Sequence, residues 1–181
     1  MSLKSATKKP GTVPKSFRID DSSVRAVETE AAAQSVSSNT LVNQILKQFA
    51  EFDRFARKIN TVKVSSTVFR GILSAGDVDK IIESAKQAGS SIPLAFATSK
   101  NGRIDRETLT DHILSLATYA HLFEVSETTS ANGYVVTLTH EFGLNWSIFL
   151  VHYITAMFAH IGASPRLEMT DTSVTFSFPN S

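Results

Sequence analysis

One stretch of the chain constrains its fold more than any other, because it carries no charge. Residues 142–165, which number 24, contain no Asp, Glu, Lys or Arg. A segment of that length is long enough to cross a bilayer. However, polar residues such as Asn145 and His152 interrupt it, and polar groups inside lipid are rare. We therefore predict that Phe142–Ile161 is a helix buried on all sides inside a protein core or a dimer.

Strand-like sequence borders this helix on both sides. Before it, Leu122–Glu127 and Tyr134–Glu141 flank a loop that ends in Asn132-Gly133, which is a strong hairpin signal. After it, Arg166–Thr170 and Ser173–Phe178 form a second predicted hairpin, and its last strand alternates hydroxyl and apolar residues. The layout predicts an α+β fold in which helices pack on an antiparallel sheet of hairpins.

Between residues 61 and 121 the apolar spacing predicts three helices. They are Thr67–Leu73, Asp77–Ala88 and Ile104–His121. Gly89 is expected to end the second helix, because glycine commonly marks helix ends. Ser90–Asn101 is therefore predicted to be a loop.

Charge is distributed unevenly along the chain, although the formal net charge is only +1. Residues 1–60 carry ten Lys or Arg and six Asp or Glu, a balance of +4. Residues 61–181 carry eight and eleven, a balance of −3. Residues 1–14 have the composition of a flexible basic tail, with little to bury. Such asymmetry indicates a nucleic-acid-facing N-terminal end.

Residues 15–59 predict one short strand followed by two helices. Lys15–Asp20 alternates polar and apolar residues, as a half-buried strand does. Asp20 is a candidate N-cap for a first helix at about residues 21–34, and Ser37 for a second helix that extends to about residue 59. The second helix carries an apolar stripe of Leu41, Val42, Ile45, Leu46, Phe49 and Phe52.

A single strand with two helices has too little core to fold as a monomer. Two copies solve the problem, because their strands can pair into an antiparallel ribbon and their second helices can cross. The strand KSFRID and the segment SVSSNTLVNQILKQF resemble the ribbon-helix-helix family of DNA-binding proteins, of the MetJ/Arc type, over residues 15–55. The resemblance implies an intertwined β-α-α dimer. Its expected dimer core is Phe17, Ile19, Leu41, Val42, Ile45, Leu46 and Phe49.

A two-stranded ribbon fits the major groove of B-DNA. Because Phe17 and Ile19 are expected to point into the core, Ser16 and Arg18 point outward as candidate base contacts, and Arg18 can bond guanine O6 and N7. The resemblance also implies that the start of the second helix clamps a phosphate. The candidate phosphate contacts are Lys4, Lys8, Lys9, Lys15, Ser37, Ser38, Asn39 and Thr40.

Two residues depart from the family pattern. The family's turn often carries Gly where this chain has Ser35, so a left-handed backbone is not expected there from the residue type. Asp20 puts a negative charge close to the predicted groove face, and its expected role is to cap the first helix.

Residues 61–181 carry no nucleophile elbow, phosphate loop or paired-carboxylate motif, so an enzyme is not predicted. His152 and His160 are eight residues apart on one predicted helix, roughly 12 Å by helical rise, which is too far to share one ion. The chain has no Cys, which removes disulfides and thiolate metal sites. No metal or cofactor is therefore predicted.

The same region is rich in aromatic residues, which predict a large core. The alternative is an apolar effector pocket or a second dimer interface. His140, Asn145 and Trp146 form the candidate effector or partner site, because polar and aromatic groups concentrate where the strand joins the uncharged helix.

Together these features predict a cytoplasmic, homodimeric, sequence-specific DNA-binding transcriptional regulator that reads double-stranded DNA with a β-ribbon. The predicted domains are a basic tail at 1–14, a ribbon-helix-helix domain at 15–60 and an α+β regulatory or interaction domain at 61–181. The alternative is an antitoxin-like or other protein-interaction or oligomerisation module, whose C-terminal domain binds a partner protein or small effector. No membrane segment or secretory signal is predicted.

Overall fold

The computed structural model describes residues 11–130 and 133–178, in two compact units, Met1–Ile45 and Leu46–Ser181. The helices are α1 (Asp21–Ala33), α2 (Ser38–Gln48), a π-helix (Phe49–Asp53), α3 (Arg54–Ala56), a 3-10 helix (Arg57–Ile59), α4 (Ser66–Ser74), α5 (Val78–Asn101), α6 (Arg106–Ala120) and α7 (Leu144–Ala159). The strands are β1 (Glu124–Ser130), β2 (Gly133–Thr139), β3 (Arg166–Met169) and β4 (Ser173–Phe178). The α+β class is confirmed.

In the first unit, α1 begins where Asp20 caps it. The Ser23 amide donates to Asp20 Oδ1 at 2.9 Å, and the hydroxyls of Ser22 and Ser23 also donate to this carboxylate. The hydrogen bond from the Ser22 hydroxyl contributes most to lowering the pKa of Asp20 to about 2. The predicted first helix and the capping role of Asp20 are thus confirmed, and Ala31 lies on its buried face.

Residues 11–20 carry no regular secondary structure in the single chain, and all of them are exposed. The backbone of Asp20 is extended, with φ −65° and ψ 150°. A β-strand is defined by hydrogen bonds to a second strand. The predicted ribbon strand Lys15–Asp20 therefore stays a prediction.

In the second unit, the strands form one antiparallel sheet in the order β1-β2-β4-β3. Ser130 pairs with Gly133 across the first hairpin, and Leu167 pairs with Phe176 in the second. Both predicted hairpins are confirmed, although Asn132 lies outside the described residues. Val136, Leu138, Val174 and Phe176 are fully buried on the face that the helices cover.

Helix α7 occupies the centre of this core. Trp146, Leu150, Ile154 and Met157 are among its buried side chains, and it packs on β3, β4 and α5. The predicted uncharged helix is confirmed, but it is not buried on all sides, because Leu144, Thr155 and Ala159 are exposed. No described helix is both long and apolar enough to span a membrane.

The predicted loop at Ser90–Asn101 is wrong, because α5 continues through it to Asn101. Gly89 does not end the helix; it lets α5 approach the backbone of α7. A Cβ built at Gly89 would clash with the carbonyl oxygen of Tyr153 and lie 3.0 Å from its Cα. Pro93 is also buried within α5, and the helix ends only at Gly102, where φ is +68°.

A second apolar cluster lies in the same unit, after α2. Phe52, Phe55 and Ala56 are buried and form this cluster with Phe96 of α5. The path predicted to be helical to about residue 59 is confirmed in extent, but it passes through a π-helix rather than a continuous α-helix.

The close approach of α5 to α7 predicts different effects of alanine at two glycines. Gly89→Ala should lower the free energy of unfolding by about 1–3 kcal/mol, because its methyl group meets backbone that cannot move aside. Gly71→Ala on α4, where the added Cβ meets open space, should raise it by about 0.5–1 kcal/mol. Urea unfolding followed by circular dichroism measures both, and equal effects would contradict the close contact.

Candidate nucleic-acid interface

The turn between α1 and α2 depends on a left-handed residue. Ser35 has φ +56°, which corrects the expectation drawn from the serine at this position. The amide of Ser35 donates to Ala32 O at 3.1 Å, and that of Val36 to Ala31 O at 2.9 Å. These bonds satisfy the last carbonyls of α1, so local hydrogen bonding makes up for the steric cost that glycine would avoid.

Helix α2 begins at a side-chain cap, as predicted. The Thr40 amide donates to Ser37 Oγ at 3.1 Å, and the two hydroxyls lie 2.8 Å apart. The first amides of a helix have no acceptor inside it, so those of Ser38 and Asn39 point out of the helix end. This end can therefore accept an anion through Ser38 and Asn39, whereas the amide of Thr40 is already used by the cap.

The candidate base contacts lie on exposed chain before α1. Lys15, Ser16 and Arg18 are exposed, and Arg18 forms no ion pair with any described residue. The nearby carboxylate of Asp20 is occupied by the cap of α1. Lys4, Lys8 and Lys9 lie outside the described residues.

The arginines of the described chain fall into two groups. Arg25, Arg70, Arg103 and Arg166 each pair with a carboxylate. Arg18, Arg54, Arg57 and Arg106 form no such pair with the residues that are described. Three of these four precede residue 60, in the part of the chain that carries the positive charge balance.

Most of the predicted dimer core is exposed in the single chain. The exposed side chains are Phe17 at 68%, Ile19 at 54%, Ile45 and Leu46 at 49% each, and Phe49 at 45%. Leu41 is buried and Val42 is half-buried. Across residues 11–45, only Ala31 and Leu41 are buried.

The candidate effector residues His140 and Asn145 form hydrogen bonds within the second unit. The Phe142 amide donates to His140 Nδ1 at 3.3 Å, which leaves His140 Nε2 to donate to Ser147 Oγ at 2.9 Å. Asn145 Nδ2 donates to Leu73 O at 2.7 Å. These bonds fix the junction between β2 and α7 and hold it to α4.

Trp146 is buried in an aromatic cluster rather than presented to solvent. Its ring stacks on Phe149 at 4.9 Å and meets Phe69 edge-on at 5.0 Å. A surface groove of about 940 Å³ lies beside this cluster and is lined in part by His140, Phe142 and three carboxylates. The residues that the structure describes include no group of His, Cys, Asp and Glu able to hold a metal ion.

One buried polar pair was not singled out from the sequence. His112 Nε2 and Tyr153 Oη share a hydrogen bond of 2.7 Å, and the His112 ring lies 5.0 Å from that of Phe96. Burial lowers the pKa of His112 to about 3 and raises that of Tyr153. The sequence does indicate that His112 is buried, because it lies three residues after Leu109 and four before Leu116 and so shares their face of the helix.

Comparison with family models, curated proteins and solved structures gives no match. The resemblance to the ribbon-helix-helix family therefore stays a hypothesis that rests on residues 15–55.

The buried His112 predicts a stability that falls as the pH falls. The unfolded chain takes up a proton near the ordinary histidine pKa of 6.5, whereas folded His112 stays neutral until the pH approaches 3. Stability from this group is therefore full above pH 6.5, and about 2 kcal/mol of it is lost between pH 7 and pH 5. His140, whose pKa burial also lowers, adds a loss of the same sign.

Urea unfolding at pH 7 and pH 5 measures this loss in the wild type and in His112→Asn. The variant should be less stable at pH 7 but should lose about 2 kcal/mol less than the wild type on going to pH 5. His160→Asn, at the exposed end of α7, is the matched control for the removal of a histidine. The same pH dependence in His112→Asn would refute a neutral, buried His112.

Proposed function

We propose that the chain is a homodimeric, sequence-specific DNA-binding transcriptional regulator that reads the major groove with a two-stranded β-ribbon. One observation carries the proposal. Five of the seven side chains that the ribbon-helix-helix pattern assigns to a dimer core are exposed in the single chain, namely Phe17, Ile19, Ile45, Leu46 and Phe49. An intertwined dimer would bring these side chains together, and contiguous apolar surface is typical of surfaces that another protein covers.

The energetics favour association. Fully burying a Leu, Ile or Phe side chain is worth about 1.5–3 kcal/mol, so covering a half-exposed one is worth roughly 1 kcal/mol. Five such side chains in each of two protomers supply on the order of 10 kcal/mol, comparable with the cost of lost translational and rotational freedom. The Lys15–Asp20 strands would add backbone hydrogen bonds across the two-fold axis.

Charge supports DNA as the partner. In a strand whose Phe17 and Ile19 are buried in the dimer, Ser16 and Arg18 occupy the opposite face. Arg18 has no carboxylate partner among the described residues, so its guanidinium is available to the guanine edge. Asp20 keeps its negative charge, because the three hydrogen bonds at the start of α1 lower the pKa of its carboxyl, so this residue opposes DNA binding beside Arg18.

The start of α2 supports a phosphate contact beside the ribbon. Ser38 and Asn39 offer amides at a helix N-terminus, where the helix dipole favours an anion. Ser35 and Ser37 fix the turn before it, through a left-handed backbone and a side-chain cap. The clamp is therefore pre-organised before DNA binds.

The dimer is tested with the full chain by sedimentation velocity at micromolar concentration. The wild type should sediment as a dimer, and Ile45→Asp should sediment as a monomer, because a charge would be buried without a partner in the shared core. Ile72→Asp is the matched control, since Ile72 on α4 is also exposed, at 62%, but lies outside the proposed interface. A monomeric wild type, or a dimer retained in Ile45→Asp, would rule out the proposed interface.

Base reading is tested on a duplex site selected from a random library. Arg18→Ala should weaken binding to the selected site by about 1–3 kcal/mol and affect random duplex less, because a base contact carries discrimination. Ser16→Ala should have a smaller effect. Replacing Lys4, Lys8 and Lys9 with Gln should weaken binding to all sequences alike and flatten its salt dependence.

Arg25→Ala provides the control for Arg18→Ala, since Arg25 is exposed on α1 but pairs with Asp21. It should leave the preference for the selected site unchanged. If Arg18→Ala binds both duplexes as the wild type does, the strand does not enter the groove. A dimer that selects no duplex sequence would favour the alternative of a protein-interaction module.

A further inference from the structure

The segment after α2 is rich in cations, most of which form no ion pair with the described residues. The segment from residue 54 to residue 76 carries Arg54, Arg57, Lys58, Lys63 and Arg70 and contains no Asp or Glu. Arg70 pairs with Glu141 at 2.9 Å, whereas the other four form no ion pair with described residues. All four are exposed, so this end of the helical path presents concentrated positive charge to solvent.

Aromatic rings hold three of these cations in place. The Arg54 guanidinium lies 4.4 Å from the centre of the Phe55 ring, and Lys58 Nζ lies 5.8 Å from the same ring. The Arg57 guanidinium lies 5.6 Å from the Phe49 ring. Phe55 is itself fixed by an edge-on contact with Phe96 at 5.6 Å. Arg54 and Lys58 therefore lie against a ring that is itself packed, whereas Arg57 lies against Phe49, which is 45% exposed.

Stabilisation of the helix explains only part of this arrangement. Arg57 and Lys58 lie in the last turn, where cations favour the carbonyl end of the helix dipole. However, Arg54 and Lys58 are four residues apart, and like charges at that spacing destabilise a helix. Elsewhere the chain neutralises such charge locally, as in the pairs Arg25–Asp21 and Arg103–Glu107. Glu51 and Asp53 lie beside these cations in the sequence but form no ion pair with them, so the positive charge at residues 54–58 is available to an external anion.

We propose that Arg54, Arg57 and Lys58 form a second DNA-contact surface, which binds the phosphodiester backbone of duplex DNA. Lys63 extends this surface beyond the turn at Asn60. Guanidinium groups bond phosphate oxygens in a bidentate manner and stack on rings, so arginine suits this role better than lysine alone. The proposal deepens the proposed function and rests on it for the choice of duplex DNA as the partner.

Duplex DNA fits these residues better than an anionic lipid surface does. A helix that lies on a membrane pairs its basic face with an apolar face exposed to lipid. Of the apolar residues next to the cations, Phe52, Phe55 and Ala56 are buried in the protein core, whereas Phe49, Val62 and Val64 are exposed. Val62 and Val64 lie outside the helices, and Phe49 belongs to the proposed dimer core. The exposed residues therefore do not form the continuous apolar helix face that a lipid surface would require.

The test measures binding of the full chain to a random-sequence duplex by fluorescence anisotropy over a series of salt concentrations. Arg57→Gln/Lys58→Gln should flatten the slope of log K against log salt by about 1–2 units per protomer, at roughly 0.9 units per phosphate contact. Lys80→Gln/Lys86→Gln removes two exposed charges from α5 and is the matched control, with an unchanged slope expected. Circular dichroism checks that both variants are folded.

The outcomes separate this proposal from the proposed function. The preference for a selected site over random duplex reports on Arg18, and the patch variant should leave that ratio unchanged. A flattened slope together with no effect of Arg18→Ala would keep this surface and reject the ribbon. An unchanged slope in the patch variant would overturn this surface, as would a wild type that binds phosphatidylserine vesicles but not duplex DNA.

Discussion

The contact between α5 and α7 determines how the second unit is built. Gly89 brings the backbones of the two helices together at Tyr153, and the hydroxyl of that tyrosine bonds His112 on α6. Helices α5, α6 and α7 therefore meet at Tyr153, and the sheet packs against α7 through β3 and β4. Because the hydrogen bond is buried, its two partners must both be present and His112 must stay neutral for the packing to hold.

The π-helix at Phe49–Asp53 divides the apolar stripe of the sequence into two parts. A π-helical turn takes up more residues than an α-helical turn, so it rotates the residues that follow relative to those that precede. Phe52 and Phe55 are buried with Phe96, whereas Ile45 and Phe49 remain about half exposed. One stripe in the sequence can thus provide a core contact within the chain and, in the proposed dimer, a contact with the second copy.

Local patterns predicted what local physics determines. The Asn132-Gly133 turn and the alternation in Ser173–Phe178 identified the two hairpins, and the absence of charge identified α7. Apolar spacing identified α1, and side-chain oxygens at Asp20 and Ser37 marked two helix starts. The errors arose where a distant part of the chain decides. Gly89 resembles a helix end until the backbone of α7 is known to lie against it, and Ser35 adopts a left-handed backbone through hydrogen bonds that residue type does not reveal.

Because residues 11–45 bury few side chains, the stability of this segment would depend on the concentration of the protein. This segment buries only Ala31 and Leu41, so in the proposed dimer most of its stabilising contacts come from the second copy. Its stability then follows mass action and rises with the concentration of the chain, whereas the second unit carries its own core and does not depend on it. On dilution the N-terminal segment would unfold first, so the concentration of the protein would itself set the fraction of chains in which this segment is ordered.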